Sequence, residues 1–180
     1  MAGITFEKIK AKLDGISAGY AEKVARVGWF PNAQYEDGTN VAYVAAIQEY
    51  GAPEVSIPPR PFVKPAIDHH KTEWGKVMAD GVKASAAGSK VDADGVLFAV
   101  GALAASDIQL AIETGQFQPL SPVTILLRKW RREGRTITGK TVGEAAAAIA
   151  NGESIEGVNA DPLRDTGLLI ASVRNDVSDA

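Results

Sequence analysis

Apolar residues recur at roughly helical spacing near the start of the chain, at Ile4, Phe6, Ile9, Leu13 and Ile16, with Lys8, Lys10, Lys12 and Asp14 between them. That spacing predicts an amphipathic first helix, with Gly15 and Gly19 weakening its end. The pattern then changes to alternation over Lys23-Val24-Ala25-Arg26-Val27-Gly28-Trp29-Phe30, which suits a half-buried strand closed by Pro31-Asn32. A polar turn, Tyr35 to Asn40, follows. Asn40 or Thr39 can cap a helix from Val41 to Tyr50, and Gly51 stands where a left-handed residue usually ends one.

Beyond Gly51 the prolines Pro53, Pro58, Pro59, Pro61 and Pro65 crowd together. Each fixes its own φ and biases its predecessor to extended geometry, so Ile57 to Pro61 reads as a stiff extended arm. Ile67, Trp74, Val77, Met78 and Val82 predict a long helix from Ala66 to about Ala87. A second runs from Ala93 to Thr114, and the breaker Ala87-Gly88-Ser89-Lys90 between them makes the pair a helical hairpin. In Pro119-Leu120-Ser121-Pro122, Ser121 is an N-cap and Pro122 a first helical residue, opening a helix through Val123, Ile125, Leu126 and Trp130.

Gly134 to Asp161 is glycine-rich and polar around a small alanine helix, Val142 to Ala150, and reads as a flexible insertion in an otherwise single domain spanning 1–180. The last segment, Pro162 to Arg174, reads as a capped turn leading into a short helix or strand, followed by a polar acidic tail. There is no internal repeat.

Composition narrows the picture by exclusion. Hydrophobic residues at 46% and charged residues at 23% describe a folded globular chain rather than a disordered or collagen-like one. A net charge of -3 provides no global basic field for nucleic acid, so any DNA contact has to be local. The absence of cysteine removes disulfides, thiolate nucleophiles and thiolate metal sites, and agrees with a reducing compartment. Lysines interrupt the first twelve residues, which lack the apolar core of a signal peptide. The apolar run Val96 to Ala105 falls short of the about 18 residues of a membrane span and reads as a buried helix, so no membrane partner is expected.

Several motifs invite chemistry. Gly134-Arg135-Thr136-Ile137-Thr138-Gly139-Lys140-Thr141 matches the phosphate-binding pattern G-x-x-x-x-G-K-[ST], which works as a turn between a buried strand and a helix. Here the charged end of a helix precedes it, and no apolar strand ending in aspartate follows to hold magnesium, so a solvent-facing loop is expected. Asp68-His69-His70 offers neighbouring helical positions that point to different faces, with only Glu73 in register with His69, and reads as surface histidines rather than a metal site. Nothing argues for an enzyme, a metal or a cofactor.

Arg128, Lys129, Arg131, Arg132 and Arg135 around Trp130 form a local anion surface that could face nucleic acid or an acidic protein ring. The plainer reading is a solvated helix end whose cations complement the helix dipole. Asp165-Thr166-Gly167 reads as a structural turn in which Asp165 accepts from backbone N–H groups of the next segment and Gly167 permits an unusual φ. An aspartic-protease motif would need a buried strand before it and a second aspartate.

Four blocks, in order, carry a family resemblance: Ala45-Ala46-Ile47-Gln48-Glu49-Tyr50-Gly51; Ile57-Pro58-Pro59-Arg60-Pro61-Phe62; Pro119-Leu120-Ser121-Pro122-Val123-Thr124-Ile125 with Arg128; and Pro162 to Val173, which contains Asp165-Thr166-Gly167-Leu168-Leu169. Together they resemble the tail-completion, or virion-morphogenesis, proteins of tailed bacteriophages, over nearly the whole chain. Gln48 stands where many relatives have histidine, and 134–161 is longer than in the shortest ones.

The resemblance implies an α+β subunit with a small antiparallel or mixed sheet flanked by several helices, to which the helical hairpin adds. It also implies a non-enzymatic neck protein of the virion, assembled in the host cytoplasm. Such a protein acts as a homo-oligomeric ring, a hexamer by resemblance, as a tail terminator that caps the tail tube and meets head–tail connector proteins. The alternatives are a head-closure protein touching portal and lumenal DNA, and a nucleotide-binding factor using 134–141. Glu49, Tyr50, Arg60 and Phe62 are then expected at a subunit boundary, with Phe62 as apolar anchor and Arg60 paired with Glu49 or with backbone carbonyls. The competing reading of Arg60 is an internal loop clamp.

Overall fold

The computed structural model describes residues 6–180. The chain runs α1 (Phe6–Ala21), β1 (Lys23–Gly28), α2 (Val41–Tyr50), α3 (Val63–Ala87), α4 (Ala93–Thr114), α5 (Pro122–Arg132), α6 (Gly139–Ala150), α7 (Leu168–Ala171) and β2 (Arg174–Asp179). Ile4 of the expected first helix lies outside the described residues. The helix runs on through Gly15 and Gly19 to Ala21.

The α+β class and the helical hairpin are as expected. The α3–α4 pair is antiparallel: the Trp74 indole N–H donates to Asp107 at 2.7 Å near one end, and the Ser85 hydroxyl to the Val91 carbonyl at 2.8 Å near the other. Between them the helices cross so closely at Gly81 that a Cβ there would lie 2.5 Å from a methyl of Val96. The apolar run beginning at Val96 belongs to a 22-residue helix that, by length and composition alone, is long and apolar enough to cross a membrane, which corrects the shorter count made from the sequence. In this structure α4 is the central core helix: Val96, Ala104, Ala105, Ile108 and Ile112 are buried, and the helix packs on α3, β1 and β2.

The sheet is two antiparallel strands in register from Lys23 opposite Asp179 to Gly28 opposite Arg174. The segment read as an acidic tail is therefore β2. A two-stranded ribbon is marginal alone, and α4 supplies the surface it rests on. Asn175 holds the strand there by donating to the Phe98 carbonyl at 3.1 Å.

The main core gathers Val41 and Ala45 of α2, Phe62, Ile108 and Ile112 of α4, and Leu169 of α7. A second, smaller core joins α5 to α6 through Leu126, Trp130 and Ala145, with Ile149 and Ile155 against it. The stretch 134–161, expected as a flexible insertion, thus carries apolar packing of its own. Its helix starts three residues before the expected Val142, because Thr138 and Thr141 cap it reciprocally.

Candidate functional site

Asn40 accepts from the Ala42 N–H at 2.8 Å to start α2, and Gly51 at φ 76° ends it. The last turn of α2 carries Gln48 and Glu49 toward the proline arm. The Gln48 carbonyl accepts from the Arg60 N–H at 2.6 Å, and its side-chain Oε1 accepts from Arg60 Nη1 at 3.1 Å. Arg60 Nε donates to the Gln118 carbonyl at 3.0 Å. Arg60 is buried and forms no ion pair among the described residues; burial lowers its guanidinium pKa without discharging it.

Arg60 therefore does not pair with Glu49. It acts as the internal clamp between α2, the arm and the loop before α5, a geometry that the stiffness of the arm allows. The buried Glu49 carboxylate is spent elsewhere: Oε2 accepts from the N–H groups of Phe62 at 2.7 Å and Val63 at 2.9 Å, and Oε1 from Lys64 at 2.9 Å. A negative charge on the free N–H groups of a helix start is favourable on both hydrogen-bonding and dipole grounds. It explains why α3 begins at Val63 rather than Ala66. Phe62 is 1% exposed and packs edge-on to Trp29 at 5.6 Å, so it anchors this chain's own core and not a neighbour's. Of the four residues expected at a boundary, Tyr50 alone is exposed, at 81%.

The basic run is gathered around one carboxylate. Ser121 caps α5 as expected, accepting from the Thr124 N–H with Pro122 in the first turn. Arg131 and Arg132, on the last turn of that helix, both donate to Asp165, Arg132 at 2.8 Å, and Arg128 Nε lies 3.6 Å from it. Arg128 also donates to the carbonyls of Asn159 at 3.0 Å and Asp161 at 2.9 Å, and burial lowers its guanidinium pKa. Lys129 pairs with Glu153 at 3.2 Å. Trp130 is buried in the second core, with the Arg135 guanidinium stacked 3.7 Å from its ring centroid.

Asp165 is thus the hub of an arginine cluster rather than an acceptor for backbone N–H groups. In the same turn the Thr166 hydroxyl accepts from the Leu168 N–H at 3.3 Å, and Gly167 takes φ 74° as the turn requires. Nothing local marks Asp165 for this role, because its partners lie more than thirty residues back. Asp165→Asn removes the charge that offsets three guanidiniums. Since Arg131 and Arg132 are about half exposed, the expected cost is only about 1–2 kcal/mol, larger in low salt than in high. Thermal melts of parent and variant at two salt concentrations check it; a salt-independent difference would count against an electrostatic origin.

The cluster borders a groove of about 660 Å³ between α2, α5 and the turn at 163–166. Tyr35 stands in its lining, its phenol raised above the ordinary value by burial. Of the segment Gly134–Thr141, Arg135, Thr136 and Ile137 line the same groove, and the segment leads from the end of α5 into the first turn of α6. The Thr138 hydroxyl accepts from the Thr141 N–H, occupying the helix start where a phosphate would sit, and the exposed Lys140 lies 3.9 Å from Glu144. A helix precedes the segment, not a strand.

His69 is exposed, whereas His70 lies 3.7 Å from Asp107 and stacks on Trp74. Among the described residues no cluster of three or more such side chains could hold a metal ion. Compared with known protein families, with curated proteins and with solved structures, the chain matches none.

Proposed function

We propose that this chain is a structural protein of a tailed-phage neck, a tail terminator or tail-completion protein that caps the tail tube and joins it to the head as a homo-oligomeric ring. The observation that carries the reading is the ordered set of four blocks, which meet in space although they span 45–173. Gln48 and Glu49 of the first bond to Arg60 and Phe62 of the second. Arg60 bonds to Gln118 beside the third, and Arg128 of the third lies against Asp165 of the fourth. Residues recurring together in one order are explained if they build one structural junction.

A ring of identical subunits needs two different surfaces on each. Exposed apolar side chains stand on several elements, among them Phe6, Ile9 and Leu13 along α1, Tyr43 and Tyr50 on α2, and Phe98 and Leu110 on α4. The exposed edges of Arg131 and Arg132 favour head closure, with contact to portal and DNA, as a second reading.

The experiment is electron microscopy of lysates from the encoding phage carrying a stop codon at Leu13. Full heads beside unattached or over-long tails are expected. Empty heads with free tails of normal length would move the protein to head closure, and intact virions would remove both readings.

A further inference from the structure

We propose that the groove between α2, α5 and the 163–166 turn is a docking site for an acidic segment of a partner protein, in which an aspartate or glutamate lies next to aliphatic side chains. The proposal concerns this chain's own groove and stands whether or not the protein acts in a neck.

The groove has the volume of a small-ligand or short-peptide site. Its walls carry Val44, Leu120, Leu127 and Leu169, which suit aliphatic side chains. Its cationic side is Arg128, Arg131 and Arg135. Asp165 is the one carboxylate within ion-pair distance of Arg128, Arg131 and the neighbouring Arg132 among the described residues, so three guanidiniums share a single negative charge. Arg128 spends further donors on the Asn159 and Asp161 carbonyls, and Arg135 pairs with Glu144 at 3.0 Å.

Gln48, which lines the groove, gives its Oε1 to the buried Arg60 and keeps its amide NH2 to donate. Excess positive charge in a partly buried wall is costly, and a ligand carboxylate entering beside Arg128 and Arg131 would offset part of that cost. Arg131, about half exposed, provides a planar fork suited to a carboxylate, and Arg135 adds the donors it does not give to Glu144.

The same lining disfavours nucleic acid. Asp37 and Asp165 stand in it, and two carboxylates repel a run of phosphates while leaving room for a single acidic side chain. Tyr35 is its only aromatic side chain among the described residues, which gives successive bases no stacking platform.

The test is selection of a random twelve-residue peptide library by mRNA display on the full chain, followed by fluorescence anisotropy of the labelled winners. Selected peptides are expected to carry an acidic residue beside an aliphatic one. They should bind at least about tenfold more weakly to an Arg131→Gln, Arg135→Gln double variant. Because Arg135 also stacks on Trp130 and pairs with Glu144, a second variant, Thr136→Trp, fills the groove from an exposed position without touching an ion pair and is expected to lose binding as well. Circular dichroism verifies that both variants fold. The proposal is overturned by no enrichment, by winners lacking acidic residues, or by binding unchanged on Thr136→Trp. Tighter binding of a labelled single-stranded DNA, lost on the same variants, overturns it in favour of nucleic acid.

Discussion

Glu49→Ala is expected to destabilise the protein by about 4 kcal/mol, lowering the melting temperature by roughly 8–16 °C for a chain of this size. The carboxylate satisfies three consecutive N–H groups at the head of α3, and Phe62, the first of these donors, belongs to a residue 1% exposed. An unsatisfied buried donor costs about 1–3 kcal/mol, and water entering the vacated space can serve only some of the three. Loss of a negative charge from the helix start adds a smaller term. Glu49→Gln separates capping from packing, because it keeps the volume but turns an NH2 toward backbone donors. Calorimetry should find the glutamine variant nearly as unstable as the alanine one. A glutamine variant as stable as the parent would mean that shape, not charge and hydrogen bonding, is what Glu49 contributes.

Trp130→Ala is expected to cost a similar amount, about 4 kcal/mol, but from a different part of the molecule. Trp130 is the largest side chain of the second core, and its removal also takes away the ring on which Arg135 stacks. With so few other apolar residues joining α5 to α6, the space cannot be refilled, so α6 should detach before the α3–α4 hairpin is affected. Limited proteolysis should cut first within 134–161 in the variant, while fragments containing α3 and α4 persist. Trp130→Phe should fall between the two. Cleavage that begins in α3 or α4 instead would mean that the two cores unfold as one unit.

These two residues show where the sequence was legible and where it was not. Ser121-Pro122 and Asn40 announce their helices because a cap acts within three residues of itself, and Gly51 and Gly167 announce left-handed backbone because only local sterics are involved. The proline arm was legible for the same reason. Glu49 was visible only as part of a block. The N–H groups it caps lie thirteen to fifteen residues further on, and no spacing rule links a carboxylate at the end of one helix to the start of the next. Phe62 was visible as a large apolar residue beside prolines, but whether it faced a neighbour or its own core depended on where Trp29 would be.

By itself the sequence determined the helix series, the hairpin, the caps and turns, and the presence of a concentrated basic run, since these follow from periodicity, backbone restriction and composition acting over a few residues. Tertiary structure alone decided that the polar segment Arg174–Asp179 is a strand, because its partner β1 lies about 150 residues away. It also decided that Arg60 is a buried clamp and that Asp165 gathers three arginines, two of which line a groove. Such groups are paired by the close approach of distant segments, and the free energy of each pairing depends on burial and geometry that no local stretch of chain contains.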